Sequence, residues 1–308
     1  MLFTIALGDP KVRDLPSAVT GLPVLGGEPG ENLFPEAVRA APQGGGLFSL
    51  ATADGWLLGL AALDPKGDLE GASHAVYRSL ADVAEGRGAH LCRVWNFVPG
   101  INATGPGHLE NYRAFSRGRS LAFEEAYGAG FSSRLSAASA VGTQSKALTV
   151  VFVASSAEPR HVENPLQVPA YRYPAHYGPR APSFARATVV SAGGRNAIFV
   201  SGTSAIRGHE TFQPGDTLAQ LACTIENLNA ILEACGAVCA ADGVIPQFHR
   251  PAQASLRHIK VYLRNPEDYP AVAQRLESDW LRKADRVSYL QADICRAELN
   301  VEIEVSLI

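Results

Sequence analysis

Residues 184–191 alternate and are rich in β-branched side chains, and Gly193-Gly194 supplies a turn into a second such run at 197–202. That pattern predicts a β-hairpin. Asp216 stands where a helix cap is needed. The apolar positions Leu218, Leu221, Ala222, Ile225, Leu228 and Leu232 keep helical spacing after it, and Gly236 ends the run. Residues 255–264 read as a strand with Ile259, Val261 and Leu263 on one face. Pro266 opens a second helix to about residue 284, and strands near 286–295 and 299–307 close the chain. The first half repeats this order. Strands at 47–52 and 56–63 flank Ala53-Asp54-Gly55, and a helix at 69–85, a strand at 90–98, a helix at 109–127 and a strand at 147–154 follow. Both halves read ββαβαβ, an internal repeat that rests on element order alone. Residues 1–7 form one more apolar run, ended by Gly8-Asp9-Pro10, and read as a strand.

Residues 155–183 break the pattern with Pro159, Pro165, Pro169, Pro174, Pro179 and Pro182. The prolines oppose regular structure. A plain linker has little use for Tyr171, Tyr173 and Tyr177 beside Arg172 and Arg180, so the segment is expected to pack over the junction and line a site. The expected organisation is an N-terminal domain at 1–154, this connecting segment at 155–184, and a C-terminal domain at 185–308 that carries most of the site. The fold class is α+β, with a cleft between the halves.

Composition narrows the function classes. With 308 residues, 46% hydrophobic and 19% charged, the chain can bury large cores. A net charge of −3 gives no electrostatic case for nucleic acid or an anionic membrane. No run approaches 18 apolar residues, and the N-terminal run lacks a basic leader, so a cytoplasmic protein is expected. The five cysteines, Cys92, Cys223, Cys235, Cys239 and Cys295, are odd in number and suit free thiols in a reducing compartment. Cys235 and Cys239 are read as packing residues at a helix end, and His249 and His258 as unrelated neighbours. The sequence has no P-loop, dinucleotide fingerprint, His-Glu-x-x-His or Gly-x-Ser-x-Gly, so neither metal nor nucleotide cofactor is expected.

Three groups of residues could carry chemistry. In the last strand Asn300, Glu302, Glu304 and Ser306 alternate with Leu299, Val301, Ile303 and Val305. Alternation alone fits a solvated face. It also fits a face turned into a cleft, where a carboxyl withheld from water acquires a raised pKa and serves as an acid. The helix around Arg113, Arg117 and Arg119 is either a solvated basic face or an anchor for carboxylates, a task arginine suits better than lysine. Residues 171–186 present Tyr177, Arg180 and Arg186 on a proline-stiffened loop, which suits an anionic ring-shaped ligand.

Several of these stretches together resemble the chorismatases. They are Arg93-Val94-Trp95-Asn96-Phe97-Val98-Pro99-Gly100-Ile101-Asn102, Tyr112 to Arg119, Ala137-Ala138-Ser139-Ala140-Val141-Gly142, Tyr177-Gly178-Pro179-Arg180, Pro182 to Arg186, and Cys295-Arg296 through Val301-Glu302-Ile303-Glu304. The likeness runs from about residue 90 to the C-terminus. It implies two RidA/YjgF-like halves and a cleft built largely by the C-terminal one. It implies chorismate as a small-molecule substrate and no cofactor. Glu302 is then the acid that protonates the enolpyruvyl group, with Glu304 as backup, and Arg119, Arg180 and Arg186 hold carboxylates with Tyr177 nearby. Cys295, with Gly208 as its partner, resembles the branch that makes 3-hydroxybenzoate and pyruvate. The alternatives are hydrolysis to a dihydroxycyclohexadiene acid, formation of 4-hydroxybenzoate, a fused RidA-like imine deaminase using Arg286, and a small-molecule-binding regulator. A monomer or a trimer is expected.

Overall fold

The computed structural model describes residues 1–7, 15–34, 36–40, 46–240, 243–246 and 257–308, with backbone alone at 106, 237–240 and 243–246. His249, the side chain of Cys239, the turn at 8–10 and the start of the strand expected from residue 255 lie outside the described residues. Among the described residues there are four main helices: α1 (Leu69–Gly86), α2 (Asn111–Tyr127), α3 (Thr217–Ala234) and α4 (Tyr269–Asp279). Asp68 and Asp216 cap α1 and α3, accepting from the N–H groups of Gly71 and Ala219 at 2.8 and 2.9 Å. The helix expected to reach residue 284 stops at Asp279.

Among the described residues the strands form two large sheets. The first runs in the order Val38–Ala40, Ser49–Ala53, Trp56–Leu63, Leu148–Ser155, His90–Pro99, Ala137–Thr143. The second contains Arg160–Val162, Ala187–Ala192, Arg195–Ser204, Val301–Leu307, Arg257–Leu263 and Arg286–Gln291, then Ser17–Gly27, Leu2–Ala6 and Gly30–Asn32. The repeat therefore extends beyond element order. In each half the hairpin pairs through its second strand with the last strand of the repeat, and the two remaining strands run parallel at one side.

Two differences from the sequence reading have physical causes. Ala137–Thr143, a seventh element that makes each half ββαβαββ, was missed because alanine, serine and glycine have weak strand preference. Its place is set by parallel pairing with His90–Pro99. The strands within residues 2–32, expected in the N-terminal domain, instead extend the sheet of the C-terminal half, where Ser288 pairs with Gly27 and Leu290 with Val24.

The sheets pack face to face over a core that includes Trp56, Trp95, Phe97, Phe199 and Leu290. Helices α1 and α2 cover the outer face of the first sheet, and α3 and α4 that of the second. A Cβ on Gly118 in α2 would collide with the Glu70 carbonyl oxygen, so this glycine lets α2 lie against α1. Along Val301–Leu307 the valines, isoleucine and leucine face α3 and α4. Glu302, Glu304 and Ser306 alternate with them and so face the space between the sheets, where all three are buried. The solvated-face alternative for these glutamates is thereby excluded.

Candidate active site

A cavity of about 260 Å³ opens beside Glu302. Helix α2 supplies Tyr112, Arg113 and Arg119, and the strand Ala137–Thr143 supplies Ala138, Ser139 and Ala140. The connecting segment supplies Tyr173, Tyr177, Pro182 and Phe184. The C-terminal half adds Arg186, Gly202, Ser204, Ile206, Cys295, Arg296 and Glu302. All three parts of the chain thus build the walls, where the C-terminal half was expected to carry most of the site and the connecting segment to line it.

Glu302 is 4% exposed. Its Oε2 accepts from Ser204 Oγ at a long 3.3 Å, and its Oε1 has no hydrogen-bond partner. Burial, then the charge of Glu304, push its pKa up to about 8, against weaker pulls from Ser204, Arg93 and Arg186. At neutral pH it is a protonated acid facing the cavity. The room for its carboxyl comes from Gly202, where a Cβ would overlap Oε1.

Glu304 has a different environment. Its Oε1 accepts from Lys260 Nζ at 2.6 Å and Trp95 Nε1 at 2.7 Å. Its Oε2 accepts from Arg93 Nη2 at 2.7 Å and Ser139 Oγ at 2.5 Å. Burial alone would raise its pKa, but Lys260 and then Arg93 hold it below the ordinary value. With every lone pair engaged, Glu304 has no proton to give, and the backup role expected for it is excluded. Ser139 links the two carboxyl environments: its hydroxyl donates to Glu304, lines the cavity, and accepts from the Gly202 N–H at 2.9 Å and from Arg93.

The walls carry cations. Arg119 is 1% exposed, lies over the Phe115 ring, and has Nε and Nη2 without partners. Arg186 donates to Tyr173 Oη at 2.7 Å and the Val168 carbonyl at 3.3 Å, leaving Nε free. Arg296 sits between the Tyr173 and Tyr177 rings, 5.3 and 4.0 Å from their centroids, and its buried Nη2 is unpaired. Unpaired buried guanidinium nitrogens are costly and mark where an anionic ligand would bind.

Residues 36–154 match the family model "Chorismatase FkbO/Hyg5-like, N-terminal". A 3-hydroxybenzoate synthase of Streptomyces hygroscopicus is 39% identical over 251 residues, covering 78% of this chain and 70% of the relative. A chorismatase of Streptomyces rapamycinicus is 36% identical over 253 residues, covering 81% and 73%. The chain belongs to the chorismatase family. A crystal structure of a chorismatase superposes with a TM-score of 0.77 at 27% identity, over 100% of this chain and 92% of that one.

Within this chorismatase the residues singled out from sequence do not all converge. Glu302, Arg119, Tyr177, Arg186 and Cys295 line the cavity. Arg180 does not: its guanidinium is taken by Glu124 at 2.6 Å and Ser120 Oγ at 3.2 Å, which ties the loop to α2. Gly208 does not either. It turns a small hairpin with φ +59°, exchanging backbone hydrogen bonds with Leu166 and Val168. The glycine that borders the acid is Gly202. Arg286 lies at a separate cavity of about 170 Å³, far along the sheet from Glu302's lining, which removes the deaminase-type use of that arginine at this site. Tyr173 lies on the segment expected to line a site, whereas Tyr112, Ser139, Ser204 and Arg296 were missed. Of these four, all but Ser204 lie in the family-like stretches.

Proposed function

We propose that this chain converts chorismate to 3-hydroxybenzoate and pyruvate. The observation that carries this is a buried Glu302, its Oε1 without a hydrogen-bond partner, in a cavity walled by arginines whose nitrogens lack partners. Chorismate carries two carboxylates and an enol ether, so it needs two cationic anchors and one proton donor. The cavity is sized for a single ring with short substituents.

In this reading Arg119, Arg186 and Arg296 hold the carboxylates, and the aromatic walls exclude water. Glu302 delivers its proton to the enolpyruvyl methylene, giving an oxocarbenium-like centre. The neighbouring ring hydroxyl oxygen displaces the ether oxygen, which departs with pyruvate. The bond from that oxygen to its original ring carbon then opens, and the proton on the ring carbon it now occupies passes to the Glu302 carboxylate, leaving the aromatic acid. The protein contributes positioning and charge stabilisation, with no covalent intermediate on a side chain. The neutral thiol of Cys295, pushed up to about 12 by burial and the nearby Glu302 charge, acts as a small wall that lets the ring hydroxyl reach the breaking bond.

Among the described residues no helix is long and apolar enough to cross a membrane. Four cysteines, Cys92, Cys223, Cys235 and Cys295, are free thiols. A reducing cytosol is the setting that suits them.

Incubation of the purified protein with chorismate in ¹⁸O-water, read by liquid chromatography and mass spectrometry, tests the reading. Unlabelled 3-hydroxybenzoate as main product supports it. A dihydroxycyclohexadiene acid as main product would replace internal displacement by hydrolysis. No turnover would remove the activity.

A further inference from the structure

The chemistry around Glu302 does not end at Glu304. Lys260, 1% exposed, lies between two carboxylates: Glu304 at 2.6 Å on one side and Glu31 on the other. Glu31 belongs to the strand Gly30–Asn32, which the N-terminal segment adds to the far edge of the second sheet. Its Oε1 meets His258 Nδ1 at 3.2 Å, and the other ring nitrogen of His258 meets Ser288 Oγ at 3.1 Å. Glu31 and His258 border the second cavity with Glu28, Arg195 and Arg286. A line of buried charges therefore joins the two cavities, alternating in sign: Glu31, Lys260, Glu304, Arg93.

The family model covers residues 36–154, so Glu31 lies outside it. Glu31 touches nothing in the Glu302 cavity, and the chemistry proposed above does not use it. Yet it is buried, and burying an acid is expensive unless its charge does something. Lys260 could neutralise Glu304 without Glu31. The second carboxylate changes the balance. With Glu31 present, two anions face two cations, and the row is neutral as a whole. Without it, Lys260 and Arg93 place a net positive charge beside Glu302.

We propose that Glu31 is a positioning residue for the acid: by sharing the Lys260 ammonium with Glu304 it balances the row of buried charges behind Glu302. This rests on the reading of Glu302 as the acid. The charged and titratable groups facing Glu302 are Glu304, Arg93, Arg186, Cys295 and Tyr112. Arg119 and Arg296 lie across the cavity, and the unpaired Tyr262 hydroxyl lies among the three glutamates. Of these, Glu304 is tied to Glu31 through Lys260, and Tyr262 feels the Glu31 charge directly, so the Lys260 variant is needed beside the Glu31 one to trace a shift in Glu302 to the row. Long-range charge effects of this kind persist because the row is shielded from water and salt.

The test compares the parent with E31Q, K260M and the double variant. Two readouts are taken: the pH profile of kcat/KM on chorismate, and titration of the Glu302 carboxyl in ¹³C-glutamate-labelled protein by NMR, assigned by its loss in E302Q. In E31Q the alkaline limb and the carboxyl titration both move down by roughly 0.5–1 pH unit, while the low-pH rate stays within about threefold of the parent. In K260M both move up, and in the double variant they return towards the parent. A uniform loss of rate with an unmoved titration, or singles that shift in the same direction, would show that Glu31 only supports the fold. If E31Q does not fold, K260M and the double variant carry the same comparison. If the parent does not turn over chorismate, the proposed activity falls, and the carboxyl titration still decides the role of Glu31.

Discussion

Glu302 and Glu304 stand two residues apart on one face of the strand Val301–Leu307, both buried, and their surroundings push the pKa of Glu302 up and hold that of Glu304 down. The difference lies in their partners. Glu304 is met by Lys260, Arg93, Trp95 and Ser139, whereas Glu302 has one long contact from Ser204. The fixed charge of the first contributes to the raised pKa of the second, an arrangement by which two like groups take opposite roles.

Replacing the acid tests its role directly. Glu302→Gln keeps shape and the Ser204 contact but removes the transferable proton. Chorismate turnover falls at least about 100-fold while the fold persists. In the parent, kcat/KM is flat at lower pH and declines through about 8 as Glu302 ionises. A folded Glu302→Gln protein with near-normal turnover would remove Glu302 from the chemistry.

The same substitution has a stability signature. Between its ordinary value of 4.5 and its folded value of about 8, Glu302 is protonated in the folded protein and ionised in the unfolded chain. The folded state then binds the extra proton, so this group's contribution to stability decreases as pH rises through that window. Glu302→Gln removes the dependence. Differential scanning at pH 5 and pH 8 should show the variant gaining on the parent at the higher pH, with Tm higher by roughly 2–4 °C for each kcal/mol regained. An unchanged gap between the two proteins at both pH values contradicts a raised pKa.

The arginines divide into two groups. Arg119→Lys, Arg186→Lys and Arg296→Lys each weaken chorismate binding by roughly 1.5–3 kcal/mol, because an ammonium cannot reproduce the guanidinium fork. Arg180→Lys leaves binding close to the parent, since Arg180 is engaged by Glu124 outside the cavity. Calorimetric titration of chorismate into each variant in a Glu302→Gln background separates the groups. Strong weakening by Arg180→Lys alone would reverse the assignment.

Two small residues border the acid, and substitution tests each. Gly202→Ala drives a methyl group into Glu302 Oε1, so it costs turnover at least about 100-fold, with little loss for Gly208→Ala in its open turn beyond local backbone strain. Cys295→Val enlarges the wall next to the substrate. Its expected effect is a product mixture moved from 3-hydroxybenzoate towards the dihydroxycyclohexadiene acid. Product ratios by liquid chromatography check both, and an unaltered ratio for Cys295→Val shows that this wall does not choose the product.

The sequence by itself determined most of the main elements and their repeated order, because apolar periodicity, aspartate caps and glycine turns act over a few residues, whereas the strand Ala137–Thr143 depended on its pairing with His90–Pro99. Asp216 and the Gly193-Gly194 turn stand where the local pattern put them. The alternation of Val301–Leu307 also put Glu302 and Glu304 on one face, and the chorismatase resemblance singled out Glu302 as the acid. What that face meets is a tertiary matter. Only the packing of the two sheets buried it, and only Lys260, Arg93, Trp95 and Ser139, drawn from three other strands, separated the acid from its neighbour. The same holds for Arg180 and Arg186, six residues apart on one loop. Both read as anchors, and the packing of α2 gave Arg180 to Glu124 and left Arg186 facing the cavity. The N-terminal strands carried no signal of their destination, because which sheet edge a strand joins depends on the edge left open by the rest of the fold. That choice placed Glu31 against Lys260.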